Sequence, residues 1–293
     1  MLVPIRAAAA SALPPLFLIH PVGGSVMAYF DLARSLRPQQ PVYAIENQVV
    51  FNPDALLCRT IEEMAERYHD EIRTVRPKGP YLVGGYSMGG LVAFEIARQL
   101  RAQGQEVLLV AIIDTPARIV GPADPSDDTG EVSARDLVTM ATLVAGRVDK
   151  QVHVTVEELE RLPSADERIA RLIEILRAQR IVPSQVDVSL FRQLLAVVRN
   201  NDQAQRRYVA RTSAGGVHLI RAMEMSPHFE AEVGDLYLDP TLGWQAVCRE
   251  PVVVSHVPGS HLRVMSQPYV RAVGVSLQRR IDHKLAERYR SRY

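Results

Sequence analysis

A chain of 293 residues with 47% apolar and 23% charged positions has the make-up of an ordinary globular protein, which excludes disorder and a fibrous repeat. Thirty-four Lys and Arg against 33 Asp and Glu leave no net charge that would direct it to nucleic acid or membrane. Cys58 and Cys248 are too few for a disulfide framework and lack partners at metal-ligand spacing, and no apolar run is long enough to span a bilayer.

Met1–Leu13 carries only Arg6 as a basic residue and lacks the order of a signal peptide, so residues 1–12 read as a linker remnant and the protein as cytoplasmic. Pro14–His20 is an apolar run behind a proline pair, the pattern of a buried strand, and ends in the turn-rich Pro21–Ser25. A helical spacing over Val26–Leu36 leads to a second strand, Pro41–Glu46. Ile61–Val75 places Ile61, Met64, Ala65, Tyr68, Ile72 and Val75 on one helical face. Tyr81–Gly84 predicts a strand, Gly89–Gln103 a helix stopped by Gly104, and Val107–Ile113 a strand apolar throughout. Alternating strands and helices, with strands apolar on both faces, imply a mostly parallel sheet flanked by helices.

The alternation breaks after Asp114. Gly121–Gly130 reads as a loop, and Asp136–Ala145, Thr155–Leu162, Ala165–Arg180 and Val186–Tyr208 as helices. Strands return at Val217–Met223 and Pro251–Val257, and a last helix starts near Pro268. The expected organisation is an α/β core over residues 13–120 and 209–293, interrupted by a helical insert over 121–208.

The chemistry centres on Gly85-Tyr86-Ser87-Met88-Gly89, between a strand and a helix, where a nucleophile elbow requires it. The plainer alternative is a glycine turn with a capping serine. A serine hydroxyl needs a base and an acid to orient that base, which in this architecture follow in the order Ser, Asp or Glu, His. Asp114, at the end of the fourth strand, is the acid, with Asp235 or Asp239 as the substitute. His261, on the loop after the last strand, is the base. His256 reads as structural and His20 as shaping the loop beside it; His69, His153, His218, His228 and His283 show no pairing logic. The oxyanion donors are the N–H of Met88 and, since Pro21 has none, that of Val22. Gly23-Gly24-Ser25 has no lysine at P-loop spacing and is no phosphate loop.

These residues, in the stretches LFLIHPVGG, GPYLVGGYSMGGLVAFEIARQL, VAIIDTPA and VPGSHLRVMSQPYV, resemble the thioesterase domains that end nonribosomal peptide synthetases and related peptide–polyketide hybrids. The likeness runs from about Leu13 to Leu277 and implies an α/β-hydrolase fold with a helical lid, acting without a cofactor. In that family an acyl chain passes from the phosphopantetheine arm of an upstream carrier protein to the serine, then leaves by hydrolysis or macrocyclisation. Ser87, His261 and Asp114 match the nucleophile, base and acid. Gly259-Ser260-His261 departs from the family's usual Gly-Asp-His, which affects hydrogen bonding around the histidine loop rather than the triad. The resemblance also makes Leu2–Arg6 a carrier linker and the domain a monomer. Lid length favours a chain-terminating domain over a discrete editing thioesterase, and the apolar content of the lid favours cyclisation. The rivals are that editing enzyme, a general esterase or lipase, and an inactive binding scaffold. The basic run Arg271, Arg279, Arg280, Lys284, Arg288, Arg290 and Arg292 reads as a solvated face, or as a landing site for an acidic carrier.

Overall fold

A computed structural model describes residues 1–7, 13–50, 52, 57–119, 132–147, 150–225, 230 and 233–291. Seven strands form one sheet: β1 (Leu2–Arg6), β2 (Leu16–Ile19), β3 (Val42–Ile45), β4 (Tyr81–Tyr86), β5 (Val107–Ile113), β6 (His218–Glu224) and β7 (Val253–Ser260). Their order is β1-β3-β2-β4-β5-β6-β7, with every neighbour pair parallel except β1 and β3. This is the α/β-hydrolase arrangement, with β4 and β5 near the centre.

The strands β2 to β5 carry no charged residue because both faces of the sheet are covered there. On one face, Phe17, Ile19, Val83 and Ile112 pack under α2 (Ile61–Val75) and α3 (Met88–Ala102). On the other, Leu16, Leu18, Leu82 and Ile113 pack under α1 (Ala28–Arg34) and, after β7, α8 (Val270–Arg290). Alternate residues of β2 thus serve two separate cores.

Residues 2–6 belong to the stretch assigned above to a linker remnant; they form a strand. β1 runs antiparallel along the outer side of β3, pairing Leu2 with Ile45 and Val3 with Ala44. Pro4 fits this place because an edge strand need not donate every N–H. The helix expected over Val26–Leu36 is shorter, and Ala28–Arg34 is its extent.

The insert carries α4 (Ala134–Arg147), α5 (Val156–Glu160), α6 (Ala165–Ala178) and α7 (Val188–Arg207). All four start on a side-chain cap: Ser133, Thr155, Ser164 and Asp187 each accept from the backbone N–H three residues on. Leu137, Leu159, Ile169, Leu172, Phe191 and Leu195 are buried together in a core of the insert's own. α7 bridges the two bodies: its first half belongs to that core, whereas Ala204 joins the main one. Just past its end, Tyr208 donates a hydrogen bond to Glu95 on α3. The loop expected at Gly121–Gly130 lies outside the described residues.

Candidate active site

Ser87 stands where β4 turns into α3, with φ 55° and ψ −136°, a conformation a non-glycine residue adopts only when its surroundings enforce it. The enforcement comes from close backbone approach. A methyl group on Gly85 would lie 2.2 Å from the backbone of Gly89, and one on Gly89 would lie 2.2 Å from the carbonyl oxygen of Ile19 on β2. The glycines of the motif therefore let helix, elbow and sheet touch. The Ser87 carbonyl accepts from the Gly90 N–H at 2.8 Å and from the Thr115 hydroxyl at 2.7 Å, which ties the elbow to the end of β5.

At that end, Asp114 is buried, with φ 50°, and its carboxylate divides its work. Oδ1 accepts from the Ala222 N–H at 2.8 Å, and Oδ2 lies 3.0 Å from His261 Nδ1. His261 Nε2 is in turn 3.2 Å from Ser87 Oγ. The carboxylate selects the tautomer with the proton on Nδ1, which leaves Nε2 as the acceptor facing the serine hydroxyl. Three side chains spaced 27 and 147 residues apart in sequence thus form one continuous hydrogen-bonded line, able to take a proton from Ser87 and return it to a leaving group.

The loop after β2 is the second part of the site. Pro21–Gly24 is a turn closed by Gly24 N–H donating to Pro21 O at 2.9 Å, with Gly24 at φ 78°. His20 Nδ1 also donates to Pro21 O, at 2.8 Å, so its Nε2 accepts from the Tyr68 hydroxyl at 2.7 Å. Burial pushes His20 down to about 4, so the ring is neutral and this tautomer is fixed. The Pro21 carbonyl and the Val22 N–H share one rigid peptide plane, so a grip on the carbonyl directs the N–H the other way. Met88 opens α3, where backbone N–H groups have no partner within the helix.

The thioesterase domain family matches residues 14–274. The chain belongs to that family. Relatives of this thioesterase domain include the chondramide synthase of Chondromyces crocatus, 30% identical over 94% of this chain and 7% of that protein. Another is the microperfuranone synthase of Emericella nidulans, 27% identical over 87% of this chain and 26% of its own. The chain spans a small part of these relatives' length. Among solved structures, a holo four-domain nonribosomal peptide synthetase bound to AMP and glycine superposes with a TM-score of 0.81 at 28% identity, over 95% of this chain and 20% of that one. The type II thioesterase BorB superposes at 0.65, with 18% identity, over 96% of this chain and 97% of its own.

Ser87, Asp114, His261, Val22 and Met88 thus sit at one end of the sheet of this thioesterase domain. The substitute acids do not approach: the Asp239 carboxylate accepts from the Thr241 and Gly243 N–H groups, and Asp235 is exposed. His256 is exposed on β7, and His228 lies outside the described residues. His218, given no pairing logic from sequence, bonds to Ser255 at 2.9 Å, and burial pushes it down to about 4. The backbone carbonyl of Ser260 accepts from the Arg263 and Val264 N–H groups and closes the turn behind His261, a contact that does not depend on the side chain at this position.

The supporting roles of three residues were not legible in the sequence. The Tyr86 hydroxyl holds the His261 carbonyl at 2.6 Å, and fully buried Trp244 donates to Thr115 O at 2.7 Å, behind the elbow. Asn201, on α7, donates to Val22 O at 2.8 Å. The basic run lies along α8, which starts beside the histidine loop, where Tyr269 meets Gly259, and near whose far end Arg288 pairs with Glu106, just before the start of β5. At 1.5 Å per residue the helix is about 30 Å long, so most of these charges lie toward the edge of the sheet opposite the triad. A groove of about 680 Å³ between α8 and β7, lined by His218, Arg271, Arg279 and Arg280, contains no triad residue.

Proposed function

We propose that this domain releases a peptidyl or peptidyl–polyketide chain from a phosphopantetheinyl carrier protein through an acyl-Ser87 intermediate. The observation that carries the reading is the unbroken line from Asp114 Oδ2 through His261 to Ser87 Oγ. His261 takes the serine proton as Ser87 attacks the thioester carbonyl, and Asp114 stabilises the imidazolium. The Val22 and Met88 N–H groups receive the oxyanion. Collapse of the tetrahedral intermediate expels the pantetheine thiolate, which leaves as the thiol with the proton from His261. Water or a nucleophile of the chain itself then repeats the sequence against the ester. The relatives are synthases and synthetases, which supports a carrier-borne substrate over a free ester.

Two arguments from sequence lose their footing. A type II thioesterase matches this chain over nearly the full length of both, so lid length does not separate chain termination from editing. The apolar residues of α4–α7 are largely consumed in the insert's own core, so they do not count toward a dry roof that favours cyclisation.

The test is a native-length acyl chain presented as a carrier-bound thioester and as an N-acetylcysteamine thioester. Mass spectrometry of a quenched reaction should find the acyl group on the peptide bearing Ser87, and the released product identifies a ring or a linear acid. Turnover of short acyl groups alone would make the domain an editing enzyme, and turnover of free esters with no thioester activity would make it an esterase.

A further inference from the structure

Asn201 lies on the helix that connects the insert to the core, and its side chain is fully buried. Its Nδ2 donates to Val22 O at 2.8 Å. The partner fixes the amide's orientation, because a carbonyl only accepts and must face the NH2 end. The other end is unused: Oδ1 is sealed from water and has no hydrogen-bond partner among the described residues. A leucine would fill similar space with no orphaned oxygen, so the amide's presence is accounted for by the single bond it makes.

That bond falls on the peptide plane next to the one bearing the Val22 N–H. His20 grips the Pro21 carbonyl from the core side, and Asn201 grips the Val22 carbonyl from α7. The φ and ψ of Val22 are the two rotations between those planes, so with both carbonyls held the N–H has one direction. α7 is itself fixed to the core by neighbouring amides. Asn200 Nδ2 donates to Cys58 O at 2.8 Å, and Gln193 Nε2 to Val49 O.

We propose that Asn201 is a positioning residue for the oxyanion hole, so that the Val22 donor is aligned only while α7 is docked on the core. The proposal rests on the reading of this chain as a serine thioesterase that uses the Val22 N–H. Loss of an oxyanion donor costs about 10²–10³ in kcat, and a misaligned donor costs less, on the order of 10–100.

The experiment compares the wild-type 293-residue chain with Asn201→Leu and the smaller Asn201→Val, neither of which can donate to a carbonyl. The substrate is an acyl N-acetylcysteamine thioester, and the inhibitor an acyl trifluoromethyl ketone, whose hemiketal oxyanion needs the same hole. Both variants should lose about 10–100-fold in kcat with KM within about twofold, and the inhibitor's Ki should rise by a similar factor. Circular dichroism checks folding; if Asn201→Leu does not fold, Asn201→Ala, which only removes atoms, is measured instead. A folded variant with wild-type kcat and Ki overturns the proposal, as does a rise in KM with kcat unchanged, which would make Asn201 a substrate contact. Labelling of wild-type Ser87 by a fluorophosphonate tests the underlying reading separately, since its absence would defeat the serine mechanism whatever Asn201 does.

Discussion

The Tyr86 hydroxyl donates to the carbonyl oxygen of His261 at 2.6 Å, and the two rings lie 5.1 Å apart with their planes tilted by 34°. The residue immediately before the proposed nucleophile therefore holds the proposed base, 175 positions away, by its backbone and by its ring face. Tyr86 is itself anchored, since its N–H donates to the Tyr29 hydroxyl, which bonds onward to Ile19 O. Tyr86→Phe keeps the ring contact and removes the hydrogen bond to the His261 carbonyl. Stability should fall by about 1 kcal/mol, and kcat by about tenfold as the histidine loop gains freedom. Steady-state kinetics with a thermal melt check this, and an unchanged kcat would show that the Tyr86 hydroxyl does not help to orient His261.

For the three reacting side chains the expected losses differ. Ser87→Ala should leave no acyl-enzyme. His261→Ala should slow acylation by on the order of 10⁴ or more, because the hydroxyl keeps its proton. Asp114→Asn should be severe but less complete: it loses the preferred tautomer yet retains the hydrogen bond from Ala222 if the amide oxygen turns to it. Single-turnover acylation followed by mass spectrometry separates these cases. Near-normal acylation in the serine or histidine variant would rule out the mechanism.

The parts of this site that were legible in sequence are those where chemistry restricts residue type and chain order at once. Gly85 and Gly89 stand at a backbone contact that admits no side chain, and Asp114 and His261 follow strand ends in the order the architecture requires. Leu2–Arg6 was not legible as a strand, because Pro4 and Arg6 break the apolar run that marks its buried neighbours. Asn201 was hidden for a different reason. A single amide on an amphipathic helix resembles any polar position until folding brings it to a carbonyl 179 residues away. Tyr86 and Trp244 likewise read as ordinary aromatics until their polar ends find the backbone behind His261 and Ser87.

The elbow glycines give a prediction of different character. At Gly89 an added methyl meets the carbonyl oxygens of Ile19 and His20, at 2.2 and 2.8 Å, and neither is a side chain that can rotate away. Gly89→Ala should push α3 off β2, costing about 1–3 kcal/mol or more in overpacking strain and displacing the Ser87 hydroxyl. Reduced thermal stability together with lost fluorophosphonate labelling is the expected pair of results. Full labelling with an unchanged melting temperature would mean that the helix has room the geometry denies it.

Stability should also depend on pH in a definite direction. Burial holds His20 at about 4 and His218 at about 4, both down from an ordinary 6.5. Between these values the unfolded chain binds protons that the folded one refuses, so folding stability rises with pH across the window. The contribution is complete above about pH 6.5 and is lost progressively as pH falls toward 4. Each group's shift corresponds to about 3 kcal/mol, a large share of a marginal total. The surroundings explain why neither ring takes a proton readily. Among the described residues, His20 bonds to the Tyr68 hydroxyl and the Pro21 carbonyl and to no carboxylate, and His218 lies beside Ser255 with the Arg280 charge nearby. Melting temperatures measured from pH 7 to pH 4 should therefore drop. The drop should be smaller in His218→Gln, whose neutral amide can still reach Ser255 and does not titrate. His218 is remote from the triad, so this variant should retain wild-type kcat at pH 7. An equal drop in His218→Gln and wild type would mean that His218 accepts its proton without unfolding, and that the acid sensitivity of the fold resides elsewhere.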